Sequence, residues 1–390
     1  MPTFVTPYGA LQLERYPPRS DGGLQAIDAA DEYLLNQLQQ LALPAGARLL
    51  ILNDSFGALA CALAPHFEVT TSGDSHLAER ALRSNLLANG LAADSVNFVA
   101  ATEPLTGPFA AVLVRVPKVL ALLEQQLDSL HSQLAAGAPL LMGAMIKHLP
   151  HAAGELVARY IGPYQAQLAV KKARLLSSVA PDIWPKRQPP VAQICYQLDS
   201  SVYQPDSSSS QRVVPALALT NLASLFSREQ LDIGSRAFLP HLPTGLGAVR
   251  VADLGCGNGV LALVCAQANP QAQFTLVDES YMAVASAKLN WQAAQAGRAA
   301  EFRVSDGLLE QPAASLDLVL CNPPFHQQQV VGDFIARRMF AQCHKALVVG
   351  GELWIVANRH LGYHVRLQQL FGNCIQVAAT PKFVILKARR

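Results

Sequence analysis

One strand–turn–helix pattern occurs twice in this chain, about 200 residues apart, which restricts it to a duplicated fold. In the second half, residues 249–266 (VRVADLGCGNGVLALVCA) run from a buried strand through a glycine-rich turn into a helix; residues 47–64 (ARLLILNDSFGALACALA) keep that order, with Gly57 matching Gly259. Residues 69–86 match 274–291, pairing Asn85 with Asn290. AAVLVRVPKV from Ala110 matches LDLVLCNPPF from Leu316, and GAPLLMGAMIKHL from Gly137 matches GGELWIVANRHL from Gly350. Four matches in one order predict two copies of an α/β domain, each a doubly wound sheet of buried strands alternating with helices. The serine-rich stretch PDSSSSQRVVPA reads as the connection, giving a first domain over 1–204, a linker over 205–216 and a second domain over 217–390.

Composition narrows the options. Half of the residues (51%) are hydrophobic and 15% are charged, enough for a buried core in each copy and against disorder. No run reaches the roughly 18 apolar residues a membrane helix needs. Seven cysteines without a CxxC pair argue against a zinc site or disulfide framework, so no metal is expected. With no signal-peptide pattern at the N-terminus, a cytoplasmic protein is expected. Net charge is only +2, but nine Lys or Arg and one acidic residue, Glu352, fall between Phe334 and Arg390. A smaller basic cluster comprises Lys171, Lys172, Arg174, Lys186 and Arg187. Either could be a solvated face or a nucleic-acid contact.

The copies differ where chemistry would sit. Asp253-Leu254-Gly255-Cys256-Gly257-Asn258-Gly259 opens a helix after a strand, and its glycines let backbone approach a ligand. The spacing is not GxGxxG and no GKS or GKT follows, which disfavours dinucleotide and P-loop sites. Asp278 ends the next strand, where a carboxylate can accept from both hydroxyls of an adenosine ribose; the alternative is an acidic helix cap. Asp306, after a third strand, can accept from an adenine amine, although Asp-Gly is also common turn chemistry. Asn322-Pro323-Pro324-Phe325 follows a fourth buried strand. There the Asn322 side-chain oxygen and the Pro323 carbonyl are two acceptors for one NH₂ group, and Phe325 is a face for a flipped base. Holding both amine hydrogens aims the nitrogen lone pair at an incoming methyl group, so alignment rather than a strong base carries the reaction. The first half has Asn53, Asp54, Ser55 and Phe56 where the second has Gly255 to Asn258, and Val116-Pro117-Lys118 where the second has Asn322-Pro323-Pro324. The first copy is therefore expected to be degenerate and non-catalytic.

Together these elements resemble class I S-adenosylmethionine-dependent methyltransferases, which carry Rossmann-like, mostly parallel seven-stranded sheets; NPPF narrows the resemblance to enzymes acting on amino groups. Phe226-Ser227-Arg228, Leu231-Asp232-Ile233-Gly234-Ser235-Arg236, Val277-Asp278-Glu279-Ser280, Asn322 to His326 and Ala357-Asn358-Arg359-His360 look like the bacterial rRNA guanine-N2 methyltransferases. Within that family the first half, with Asn53 to Gly57 and Val170 to Arg174, is most similar to the large-subunit (23S) members, the RlmG type. The resemblance implies S-adenosylmethionine as cofactor and 23S rRNA, protein-free or in an early assembly intermediate, as substrate. It implies that Asp253, Gly255, Cys256, Gly257, Asn258, Gly259, Asp278, Asp306 and Asn322 bind the cofactor, and that Asn322, Pro323, Pro324 and Phe325 hold the target amine. His326 would be a positioning or structural residue, and the first domain an RNA-binding one. Glutamine-N5 methylation of a protein, adenine-N6 methylation, a small-subunit rRNA target and a non-catalytic RNA-binding protein remain the alternatives.

Overall fold

The computed structural model describes residues 2–18, 24–184, 186, 188–202, 216–324 and 329–390, the last span without the side chains of 329–333. Two units divide the chain, 1–192 and 193–390.

The first unit begins with a hairpin, β1 (Thr3–Thr6) and β2 (Gly9–Gln12), and α1 (Ala29–Gln40). There follow β3 (Arg48–Leu52), α2 (Ala58–Leu63), β4 (Glu68–Gly73), α3 (His76–Ala88), β5 (Asn97–Ala100), β6 (Ala111–Arg115) and α4 (Leu120–Ser129). β7 (Pro139–Met145), α5 (His151–Tyr160), β8 (Gln165–Ala166) and β9 (Ala173–Val179) complete it. Its seven-stranded sheet has the order β5-β4-β3-β6-β7-β9-β8, parallel except for β9, which runs antiparallel to both its neighbours.

The second unit repeats the plan. A hairpin, β10 (Gln193–Leu198) and β11 (Leu217–Leu222), precedes α6 (Ile233–Phe238), β12 (Arg250–Leu254), α7 (Val260–Ala268), β13 (Gln273–Asp278) and α8 (Tyr281–Ala294). After these come β14 (Glu301–Val304), β15 (Leu316–Cys321), α9 (Gln329–Ala346), β16 (Leu347–Asn358), α10 (Tyr363–Phe371), β17 (Ile375–Ala379) and β18 (Phe383–Arg389). The sheet order β14-β13-β12-β15-β16-β18-β17 is that of the first unit, strand for strand, with β18 antiparallel. Fold class therefore agrees with the expectation of two tandem class I methyltransferase-like α/β domains.

The central strands alternate side chains between two apolar layers. Val251, Leu318, Leu320 and Val356 pack with α7 and Trp291 on one face; Ala252, Leu254, Val319 and Ile355 pack with Phe340 and Leu367 on the other. From Val260 to Ala266 every residue of α7 is buried, so this helix is core all round and fixes the turn that starts it.

The boundary lies earlier than expected. β10 pairs with β11 in continuous antiparallel register from Gln193↔Leu222 to Leu198↔Leu217, so the chain joins the second unit at 193. The expected 205–216 linker instead connects two strands of one hairpin, and 205–215 lie outside the described residues. No helix among the described residues is long and apolar enough to cross a membrane.

Candidate active site

The carboxyl ends of β12, β13, β14 and β15 bring the expected site residues to one edge of the second sheet, where open α/β sheets bind ligands. Gly255, Gly257 and Gly259 all have positive φ (72°, 53° and 81°), but they serve different ends. A Cβ on Gly259 would lie 3.0 Å from Leu276 Cδ2 and 3.2 Å from Ala287 Cβ, so this glycine seats α7 against β13 and α8. At Gly257 a Cβ would meet nothing within 4 Å, leaving open room beside the backbone. The turn is tied down by Gly255 N and Cys256 N, both donating to Val277 O, and by Gly257 N donating to Asp278 Oδ2 at 2.9 Å. Cys256 thus spends its own amide inside the turn. Burial, with the charges of Asp278 and Asp253, pushes its thiol well above the usual range.

Asp253 is wholly buried. Its Oδ2 accepts from Ala262 N at 3.0 Å, whereas Oδ1 has no partner among the described residues. Burial, reinforced by Asp278 and opposed by the Ala262 amide, pushes its pKa from 3.8 up to about 8. A buried, half-satisfied carboxylate beside open backbone fits a ligand carrying an ammonium group. Asp278 adds a second carboxylate, its Oδ1 accepting from Ser280 N at 3.0 Å. Asn258 is held by two residues of the hairpin, donating from Nδ2 to Tyr196 Oη and to Asn221 Oδ1 at 3.0 Å. Asp306 is buried too, but both its oxygens meet the Arg338 guanidinium from α9, and Gln342 donates to its carbonyl. An adenine amine at Asp306 would have to share the carboxylate with Arg338.

Asn322, one residue beyond β15, donates from Nδ2 to Asp232 Oδ2 at 2.9 Å and to Ser235 Oγ at 3.0 Å. Its Oδ1 is buried without a partner among the described residues. Pro323 is buried and Pro324 exposed; Phe325 and His326 lie outside the described residues. Asn358 Oδ1, at the carboxyl end of the neighbouring strand, is likewise buried and unpartnered among them.

The first unit keeps the scaffold and changes the residues at the positions of the site. Asn85 donates to Phe56 O just as Asn290 donates to Asn258 O, and both are buried. Ser75 and Ser280 cap equivalent helices, and Gly57 (φ 75°) sits against Leu82 as Gly259 does against Ala287. Asp54 supplies the acceptor for Ala60 N that Asp253 supplies for Ala262 N. By sheet register, however, Gly73 stands in place of Asp278. Asn53 takes the left-handed conformation of Gly255 and locks its amide to Gln126 at 2.8 Å. Register also shifts one expected equivalence. Leu52 pairs with Val114 and Leu254 with Cys321, so Arg115, not Val116, holds the place of Asn322. Its guanidinium bonds to Asp28 and Asp31, which match Asp232 and Ser235 at the N-cap and third positions of α1 and α6.

Residues 1–182 match the family model described as RLMG N-terminal domain, and residues 216–387 that of the methyltransferase small domain. The ribosomal RNA large subunit methyltransferase G of Stutzerimonas stutzeri is 63% identical over all of this chain and 99% of its own length. That of Pseudomonas aeruginosa (strain UCBPP-PA14) is 60% identical over the whole of both chains. The chain belongs to the ribosomal RNA large subunit methyltransferase G family. It is an enzyme, and the fold and glycine turn are those of methyltransferases that use S-adenosylmethionine. A solved 16S rRNA N2 G1207 methyltransferase of T. thermophilus, in complex with AdoMet and guanosine, has the same two-copy fold: TM-score 0.77 at 22% identity, covering 100% of this chain and 97% of that one.

Sequence reasoning missed Tyr196 altogether, and it picked out Asp232 and Ser235 only as part of the family resemblance, not as partners of Asn322. Asp232 and Ser235 lie 90 and 87 positions from the asparagine they hold, and the only local signal was an N-cap pattern, Asp-x-x-Ser. Three of the nine cations in the C-terminal basic run are in ion pairs within the fold: Arg338 with Asp306, and Lys387 and Arg389 with Glu352.

Proposed function

We propose that the enzyme transfers a methyl group from S-adenosylmethionine to the exocyclic N2 of one guanine in 23S rRNA, in the cytoplasm. When bound, the cofactor supplies an electrophilic methyl on a sulfonium. Asp253 and the open backbone at Gly257 would hold its amino-acid portion, Asp278 its ribose and Asp306 its adenine. The observation that carries the chemistry is the Asn322 amide, pinned through nitrogen with its oxygen buried and without a partner among the described residues. That oxygen accepts from the target amine, aligns the nitrogen lone pair and stabilises the positive charge growing there. Pro323 offers a second acceptor, and Phe325 a stacking face.

An RNA substrate is supported by exposed basic residues at the same sheet edge. Arg359 and His360 follow β16 and Lys382 precedes β18, with Arg359 N donating to Lys382 O. The first unit has the equivalent corner, Lys147 and His148 after β7 beside Lys172, where Ile146 N donates to Lys172 O. These are positions for phosphate contacts, and the first unit, with its site residues changed, serves RNA binding rather than catalysis. The family name of the relatives, which act on the large subunit's RNA, supports 23S over 16S.

Labelled methyl transfer to protein-free 16S and 23S rRNA, followed by nucleoside analysis, tests this. N2-methylguanosine in 23S RNA alone is expected. Label confined to 16S RNA, to N6-methyladenosine or to protein would refute the assignment. Asn322→Ala should lower turnover about 100-fold or more while leaving cofactor affinity nearly unchanged.

A further inference from the structure

We infer that Asp232 and Ser235, at the N-terminus of α6, are positioning residues for methyl transfer that set which face of the Asn322 amide meets the substrate. The inference rests on the catalytic reading of Asn322. An asparagine amide can lie either way round, and only its partners decide. A carboxylate can only accept, so Asp232 Oδ2 at 2.9 Å forces the NH₂ group of Asn322 toward α6, and Ser235 Oγ at 3.0 Å takes its second hydrogen. Both donors of the amide are thereby spent. The acceptor, Oδ1, is left buried and unpartnered among the described residues, as a group receiving an amine must be. Reversed, the amide would present N–H donors to the amine hydrogens and repel them.

The close approach is built into the backbone. A Cβ on Gly234 would stand 2.9 Å from Asp232 Oδ2 and 3.3 Å from Asn322 Oδ1. No positive φ requires glycine at 234, so room for this contact is its physical reason. Asp232 is itself fixed, because its Oδ2 also accepts from Ser235 N at 3.0 Å. The first unit makes the same tie between the N-cap of its α1 and the end of its fourth strand, but there Arg115 replaces the amide and points only donors at Asp28 and Asp31. The connection is thus an element of the repeated fold, and the second unit uses it to orient an acceptor. The charge of Asp232 also draws on the Asn322 hydrogens, which strengthens Oδ1 as an acceptor for an amine turning positive.

Four variants of the full-length enzyme, assayed with S-adenosylmethionine and 23S rRNA, separate positioning from simple helix capping. Asp232→Ser keeps a side chain able to cap α6 but loses the reach and charge needed to hold Asn322. It should retain the melting temperature within a few degrees and lower kcat 10-fold or more, with the cofactor Kd changed less than about 3-fold. Ser235→Ala should cost kcat a smaller factor, about 3-fold. In an Asn322→Ala background, Asp232→Ser should change kcat by less than 2-fold, since the group it orients is gone. Wild-type kcat in Asp232→Ser, or an undiminished effect of that change in the Asn322→Ala background, would overturn the inference. If Asp232→Ser proves unstable, Asp232→Asn, which keeps size and cap but can present either face, must show the kcat loss instead. An inactive wild-type enzyme would refute the proposed reaction itself, an outcome distinct from active enzyme with indifferent variants.

Discussion

Replacing Asp253 with Asn should stabilise the second unit at neutral pH and above while weakening its hold on the cofactor. The carboxyl is fully buried, satisfied on one oxygen only among the described residues, and has its pKa pushed from 3.8 to about 8, chiefly by burial. Between those two values the folded state keeps a proton that the unfolded chain has released, so stability falls as pH rises through this window. At about 1.4 kcal/mol per pH unit, a gap of roughly three units at pH 7 sets a ceiling of about 4 kcal/mol. Relaxation and water entry reduce penalties of this kind, and about 1–3 kcal/mol is the expected gain. Asparagine keeps an oxygen for Ala262 N and never ionises, so the advantage of the variant should be small at pH 5 and grow toward pH 8. Trp291 and Trp354 lie in the second unit and Trp184 in the first, so urea unfolding followed by fluorescence in a Trp184→Phe background reads the right unit. Cofactor affinity should fall about 10-fold or more, because an amide cannot give up a proton to become the carboxylate proposed to meet the cofactor's ammonium group. A variant whose stability relative to wild type does not rise between pH 5 and 8 would refute the account of Asp253 as a strained buried acid.

Three further outcomes follow from the comparison of the copies. Gly259→Ala combines a left-handed φ with contacts to Leu276 and Ala287, and should destabilise the second unit by about 2–4 kcal/mol in urea titrations. Gly257→Ala, with its φ of 53° and no neighbour in the way, should cost only about 1 kcal/mol yet reduce cofactor affinity in calorimetry. Arg115→Met removes the partner of Asp31, a buried acid whose pKa burial already lifts to about 7. Leaving such a group unpaired should destabilise the first unit by about 2–4 kcal/mol, read by Trp184 fluorescence, without altering the cofactor Kd.

The duplicated fold was legible because buried parallel strands and their turns leave strong local marks: apolar runs, positive-φ glycines and acidic strand ends. The glycine turn, Asp278 and Asn322 come together at one sheet edge for the same reason, each sitting just beyond the end of a recognisable strand. Register was not legible at β6. The apolar runs AAVLV and LDLVLC slide past one another by one residue without penalty, and only pairing with Leu52 and Leu254 shows that Arg115 takes the place of Asn322. The unit boundary was misplaced because low complexity marks a loop, not what the loop joins; the hydrogen bonds from 193 to 198 decide that. Arg338 on Asp306, and Asp232 on Asn322, are long-range pairings with no trace in local sequence.

The two copies act as an internal control on which residues serve folding and which serve chemistry. What both retain, Asn85 and Asn290 bridging hairpin and turn, Gly57 and Gly259 beneath the helix, Ser75 and Ser280 at the N-caps, serves packing, because it recurs in a unit that lacks the triple-glycine turn, Asp278 and Asn322. What only the second retains, open backbone at Gly257, a carboxylate at Asp278 and an orientable amide at Asn322, cannot be required by packing. Unit 1 folds the same sheet in the same order with Ser55, Gly73 and Arg115 in those places. The substitution at Arg115 is the most informative. In the first unit one arginine satisfies two acids, whereas in the second an amide donates to one acid and one hydroxyl. That the second unit keeps asparagine there, with one oxygen buried and without a partner among the described residues, is a cost that the proposed substrate amine would offset.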